Sequence, residues 1–158
     1  MKLSQANRAA HDVLEAQLLD MLGAAVDGRV TASRASLGQL RAHFEAHLAA
    51  EEAHTLPLLR DLGGPLTKLA LIVDGDHRIL HRSLQGASDL LDGLPDGPEG
   101  RAAVLGHIEV FSKLKTVLEH HGVREQEDVY SPLDKRFPQL EWASELLLTP
   151  TPPTEEAQ

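Results

Sequence analysis

The 158-residue chain has no cysteine. That excludes disulfides and thiolate ligands, so any bound metal must be held by nitrogen and oxygen. It also lacks an excess of positive charge. Its formal net charge is −9, with no basic run to offset it. Nucleic acid and anionic membrane surfaces are therefore poor partners on electrostatic grounds. No apolar run approaches the ~20 residues needed to span a bilayer. The N-terminal "MKLSQANRAAHDVLEAQ" is amphipathic and contains acids, unlike a signal peptide. These absences lead us to expect a soluble, cytoplasmic protein. Strand-like alternation is missing everywhere, and no strict internal repeat is present.

What is there is helical. The length suits one domain with a sizeable core. We expect a single domain over residues 1–148, with the proline-rich, polar "TPTPPTEEAQ" of 149–158 as a flexible tail. Proline and glycine divide the rest. A first helix is predicted over roughly 4–26, ending before Asp27 and Gly28. A second starts near Ser33 and stops at Pro57. A third starts at Pro65, suited to a first helical turn, and runs to about Asp92. A fourth starts at Pro98 and ends before Pro132. "PQLEWASELLL", 138–148, is predicted as a short fifth helix capping one end. Each long segment carries one apolar stripe at helical spacing. The expected fold is all-α, an up-down-up-down antiparallel four-helix bundle with a short C-terminal helix.

The stripes carry polar groups where leucine is expected. Helix one has His11 in line with Leu14 and Leu18; helix two has His47 and Glu51 after Leu40 and Phe44. Helix three has His77 and His81 among leucines, and helix four has His121 and Glu125 after Leu114 and Leu118. The i, i+4 pairs lie about 40° apart on a helix, so both members reach one point. Buried carboxylates and imidazoles are costly without compensation. In an antiparallel bundle, His11, the His47/Glu51 pair and the His121/Glu125 pair lie roughly 10, 12 and 13 Å from the same end. His77 and His81 lie roughly 20 Å in from Pro65. Four helices thus bring inward polar groups to similar depth. The competing reading is a buried hydrogen-bonded network without metal. Five imidazoles and two carboxylates suit iron, manganese, zinc or copper better than calcium or magnesium. They are too many for one tetrahedral zinc, whereas two metals sharing carboxylates use them naturally. His43, His54, His107 and His120 are read as lying outside the ligand set. Asp74 and Asp76 are read as solvated, with Asp74 as the candidate partner for a ligand.

These residues resemble the hemerythrin-like, or HHE cation-binding, family. The resemblance is carried by "HLAAEEAHTLP" and "HHGVREQEDVYSP", each a His-x-x-x-Glu followed by a proline, and by "DHRILH" and the lone His11. It covers about residues 4–132 and differs from the ferritin-like pattern, where Glu-x-x-His is spaced i, i+3. It implies a non-haem iron centre inside the bundle, usually two irons joined by an oxo or hydroxo bridge. Carried over, His77, His81 and His121 would hold one iron, His11 and His47 the other, and Glu51 and Glu125 would bridge them. One coordination position then stays open for dioxygen, nitric oxide or peroxide. The chain departs from the family's oxygen carriers in having a glutamate four residues after His121, not an aspartate five residues after its histidine.

The expected function is reversible binding of dioxygen or a related small diatomic, as carrier or sensor. The alternatives are a di-iron enzyme acting on peroxide or nitric oxide, and iron storage or donation for iron–sulfur repair. A monomer and a homodimer are both open.

Overall fold

The structure is a computed structural model that describes residues 1–141. The apolar stripes fold as helices throughout. α1 spans Leu3–Val26 and α2 spans Val30–Ala50. A π-helical turn, Glu51–Thr55, carries α2 straight into α3, Leu56–Leu62. Gly63 and Gly64, both at positive φ, make the reversal into α4, Pro65–Leu91. α5 spans Pro98–Gly106 and α6 spans Ile108–Arg124. A second π-helical turn, Glu125–Tyr130, leads from α6 into α7, Ser131–Arg136. The described residues form no strand, and an isolated antiparallel bridge joins Lys2 to Glu141.

Three boundaries differ from the sequence reading. The second helix does not stop at Pro57, nor does the fourth end before Pro132. Proline lacks an N–H and clashes with the carbonyl four residues back in a regular helix. Here each proline falls at the first turn of a new α-segment, just after a wide π-turn has interrupted the regular ladder. The second helix also starts at Val30, before Ser33. Its first turn is held from far along the chain, because the Thr31 N–H donates to Asp96 Oδ1 at 2.8 Å. The fourth helix breaks at His107, which leaves helical geometry after Gly106 (φ −130°). Of the predicted fifth helix, residues 138–141 are not helical. The remainder, and the expected boundary at 148, lie outside the described residues.

α1 packs along α2 and α4 along α6, while α2 meets α4 and α1 meets α6. The result is an all-helical bundle with two apolar layers. The larger holds Leu14, Leu18, Met21, Leu40, Phe44, Leu80, Phe111, Leu114 and Leu118. The smaller holds Leu3, Leu56, Leu59, Val73, Val129, Tyr130 and Leu133. Along α1 the order is Leu3, His11, Leu14; along α4 it is Val73, His77, Leu80. From α2 into α3 it is Leu48, Glu51, Leu56, and from α6 into its π-turn it is Leu118, His121, Glu125, Val129. Every rod therefore passes from one apolar layer to the other through a polar residue. Burial of the layers, at about 25 cal/mol per Å² of apolar surface, holds the polar level between them in place.

The α1 N-terminus is held by α7. The Leu3 N–H donates to Asp134 Oδ1 at 3.0 Å and the Ser4 N–H to Asp134 Oδ2 at 3.1 Å, with the Ser4 hydroxyl donating to Oδ2 as well. One carboxylate thus satisfies two orphan helical donors and complements the helix dipole. We expect Asp134→Ala to lower unfolding stability by about 1–2 kcal/mol in urea titrations. Asp134→Asn should lose less. An unchanged midpoint for the alanine variant would contradict this capping role.

Candidate metal centre

Six of the seven residues singled out by the stripes meet in the polar level. α1 supplies His11, α2 supplies His47, α4 supplies His77 and α6 supplies His121. Glu51 and Glu125 are each the first residue of a π-turn. None of the six is more than 5% exposed. Their ligand atoms form two overlapping groups, each with all atoms within 4.8 Å of one another. One group is His11, His47, His121 and Glu125; the other is Glu51, His77, His121 and Glu125.

The carboxylates lie between the imidazoles. Glu125 Oε2 is 2.9 Å from His11 Nε2 and 3.6 Å from His47 Nε2. Its other oxygen, Oε1, is 2.9 Å from His121 Nε2 and 3.8 Å from His77 Nε2. Glu51 Oε2 is 3.5 Å from His47 Nε2 and 3.2 Å from His77 Nε2. The remaining Glu51 oxygen accepts the Tyr130 hydroxyl at 2.5 Å, and that hydroxyl is 3.0 Å from Thr55 Oγ1.

These close approaches are mostly not hydrogen bonds. His47 Nε2, His77 Nε2, His121 Nε2, Glu51 Oε2 and Glu125 Oε1 are all buried and make none within the protein. Nitrogen and oxygen sit near one another without being aimed at one another. A buried polar atom left unpaired costs about 1–3 kcal/mol, and a charged one more. Cations held by the two overlapping groups would satisfy these atoms between them, and a set of imidazole and carboxylate donors suits a borderline transition metal. The residues present therefore fit the metal that the ligand chemistry implies.

Carboxylates stand near the outward ring nitrogens of two of the histidines, beyond hydrogen-bond distance. Asp76 Oδ2 is 3.9 Å from His121 Nδ1 and is itself paired with Arg124. Glu52 Oε1 is 3.8 Å from His77 Nδ1. Gly122 is required by close approach: a Cβ there would lie 2.7 Å from His11 Nδ1.

The metal-free cluster is strongly polarised. Burial disfavours a charged His77, but Glu125 and Glu51 outweigh it and raise the imidazole to about 9. Burial likewise opposes a charge on His121, yet Glu125 and Asp76 raise it to about 10. Glu125 is buried too, and the facing histidines hold it well below the ordinary carboxylate range. Burial raises Asp76, but His121 and Arg124 bring it below its ordinary value.

The structure does not bring His81 to the cluster. It is exposed, and its ring stands edge-on to Phe44 with centroids 5.8 Å apart. The inward stripe of α4 runs from His77 to Leu80 and Leu84, which leaves His81 rotated out. His43 is half-buried and hydrogen-bonds Gln17 at 2.6 Å. His54, His107 and His120 are exposed. The two aspartates exchange their expected parts: Asp74 pairs with Arg78 on the surface, and Asp76 faces His121. Tyr130 and Thr55 were missed by sequence reasoning. The one available signal was that Tyr130 is the only tyrosine and follows Glu125 by five residues, the step of a π-turn.

The pH dependence of the metal-free protein follows. His77 and His121 are raised above their ordinary 6.5, so their contribution is complete below that value and is lost as pH rises through about 9 and 10. Glu125 is depressed below 4.5, so its contribution is present above that value and is lost as pH falls through its lower folded value. With chelator present, we expect the urea midpoint to fall from pH 6.5 to 10. A midpoint that rises over that interval would contradict the ion-pair arrangement.

Comparison with known proteins agrees with this geometry. No curated protein and no solved structure matched the chain. The family model described as Hemerythrin HHE cation binding domain matches residues 3–133, the stretch that supplies every residue of the cluster. The chain belongs to the hemerythrin HHE cation-binding domain family.

Proposed function

We propose that the polar level holds two iron ions bridged by Glu51 and Glu125, and that the protein binds dioxygen or a related small diatomic reversibly as carrier or sensor. The observation that carries this reading is the shared position of each carboxylate. Glu125 presents one oxygen to the His11/His47 side and the other to the His77/His121 side. The two overlapping groups of ligand atoms, which share His121 and Glu125, support two cations rather than one. Iron bound there would supply a redox-active pair with open coordination positions, and without His81 one more position is left open than five imidazoles would leave. The short reversals between α2–α3 and α4, together with the cyclic packing of α1, α2, α4 and α6, support an up-down-up-down course.

The chain's own contributions are binding, orientation and a low-dielectric setting. Two apolar layers flank the level and lower the local dielectric, which strengthens electrostatic interactions within it. Tyr130 fixes the Glu51 oxygen that faces away from the imidazoles. The same contact favours a second reading, an enzyme acting on peroxide or nitric oxide. It leaves a phenol proton next to the cluster, where a proton donor is useful.

The test is iron loading under anaerobic conditions followed by air. We expect about two irons per chain, and an oxygenated spectrum that disappears when oxygen is removed. His81→Ala should keep the iron, whereas His77→Ala should lose at least one. Rapid irreversible oxidation, or gas evolution from added peroxide, would favour the enzyme. Failure of the folded protein to take up iron would overturn both readings.

A further inference from the structure

A pocket of about 230 Å³ opens along the seam between α1 and the end of α6. Of the residues lining it, only His11 belongs to the metal-binding cluster. The imidazole forms part of the wall between the two spaces. Its Nε2 faces Glu125 on the inside. Its Nδ1 lies against Gly122, another wall residue, and is buried with no hydrogen-bond partner.

Asn7 stands one helical turn before His11 and lines the same pocket. It is 1% exposed, and both its amide nitrogen and its amide oxygen lack a partner. Gln126, on the other wall, adds a buried amide oxygen that is also unpartnered. A buried primary amide with neither donor nor acceptor satisfied is rare in folded proteins. Had the position served packing alone, an apolar residue of similar size would have been less costly. The adjacent pocket is roomy enough for water-sized molecules that could satisfy both amides.

The charges around the pocket narrow the class of occupant. Asp12, Glu15 and Glu127 set three carboxylates against the guanidinium of Arg8. Such a rim lowers the local concentration of anions and leaves neutral molecules unaffected.

We propose that the α1–α6 seam pocket admits and holds a neutral hydrogen-bonding molecule of water or hydrogen peroxide size beside His11, with Asn7 as its binding amide and the carboxylate rim as a filter against anions. This rests on the metal-centre reading for its purpose but not for its binding chemistry. The amide donates through its N–H and accepts through its oxygen, which matches a molecule that does both. The seam also gives the level a polar approach alongside His11.

Two arms test this, and the first needs no metal. In metal-free protein, the Asn7 side-chain amide protons should show cross-relaxation with water by NMR. A dry Asn7 amide would overturn the proposal whatever the metal does. The second arm uses iron-loaded protein in stopped flow, with sodium azide as the anionic probe and hydrogen peroxide as the neutral one. Asn7→Leu should keep parental iron content yet slow the peroxide-induced spectral change roughly tenfold. Glu15→Gln combined with Glu127→Gln should speed azide binding several-fold at low salt, and the difference should shrink as salt rises. Parental rates for both probes in variants that retain iron would overturn the pocket as a route. A protein that takes up no iron, but whose Asn7 amide is hydrated, would sink the proposed function and leave the binding pocket standing.

Discussion

The structure depends on a conflict between burial and charge. Four imidazoles and two carboxylates are buried inside a bundle, between two apolar layers. Left to themselves they are poorly satisfied, because most of their inner atoms make no hydrogen bond. Ion pairing among them offsets part of the cost, as the raised His77 and His121 and the depressed Glu125 indicate. Buried ion pairs seldom stabilise a fold relative to apolar packing. Six polar groups held at one level by six chain segments are therefore better understood as a site than as a structural device.

The backbone is shaped around that site. Both carboxylates open π-turns, and both π-turns deliver the chain into a proline that starts the next α-segment. The wider turn changes the angular step along the helix. That change lets Glu51 and Glu125 point at the imidazoles while Leu56 and Val129 return to the lower apolar layer. It also places Thr55 and Tyr130 next to each other, so that the phenol reaches Glu51 from the opposite helix. π-turns are unfavourable locally and are concentrated at functional sites. Their occurrence at the two buried carboxylates links the local geometry to the candidate metal centre.

Much of this was legible in the sequence because helical periodicity and ligand spacing are local properties. His47 with Glu51 and His121 with Glu125 follow from i, i+4 spacing on apolar stripes. His11 and His77 follow from interruption of a leucine series. Pro57 and Pro132 do not end the helical path, because proline is a reliable stop only in a regular ladder. A π-turn has no simple residue signature. His81 stands apart from the cluster because i, i+4 spacing permits convergence without requiring it. The small angular offset from His77 sends it to the outside once Leu80 and Leu84 claim the inward face. Tyr130, Asp76 and Asp134 act across the bundle, on partners 79, 45 and 131 positions away. Such contacts have no signature within a sequence window.

The most direct test of the central claim is anomalous diffraction at the iron edge from crystals of the iron-loaded protein. Two anomalous peaks are expected inside the bundle, with Glu51 and Glu125 between them and His81 outside the ligand set. A lone peak, iron bound only at surface carboxylates, or an interior without anomalous signal in a fully folded chain would contradict it.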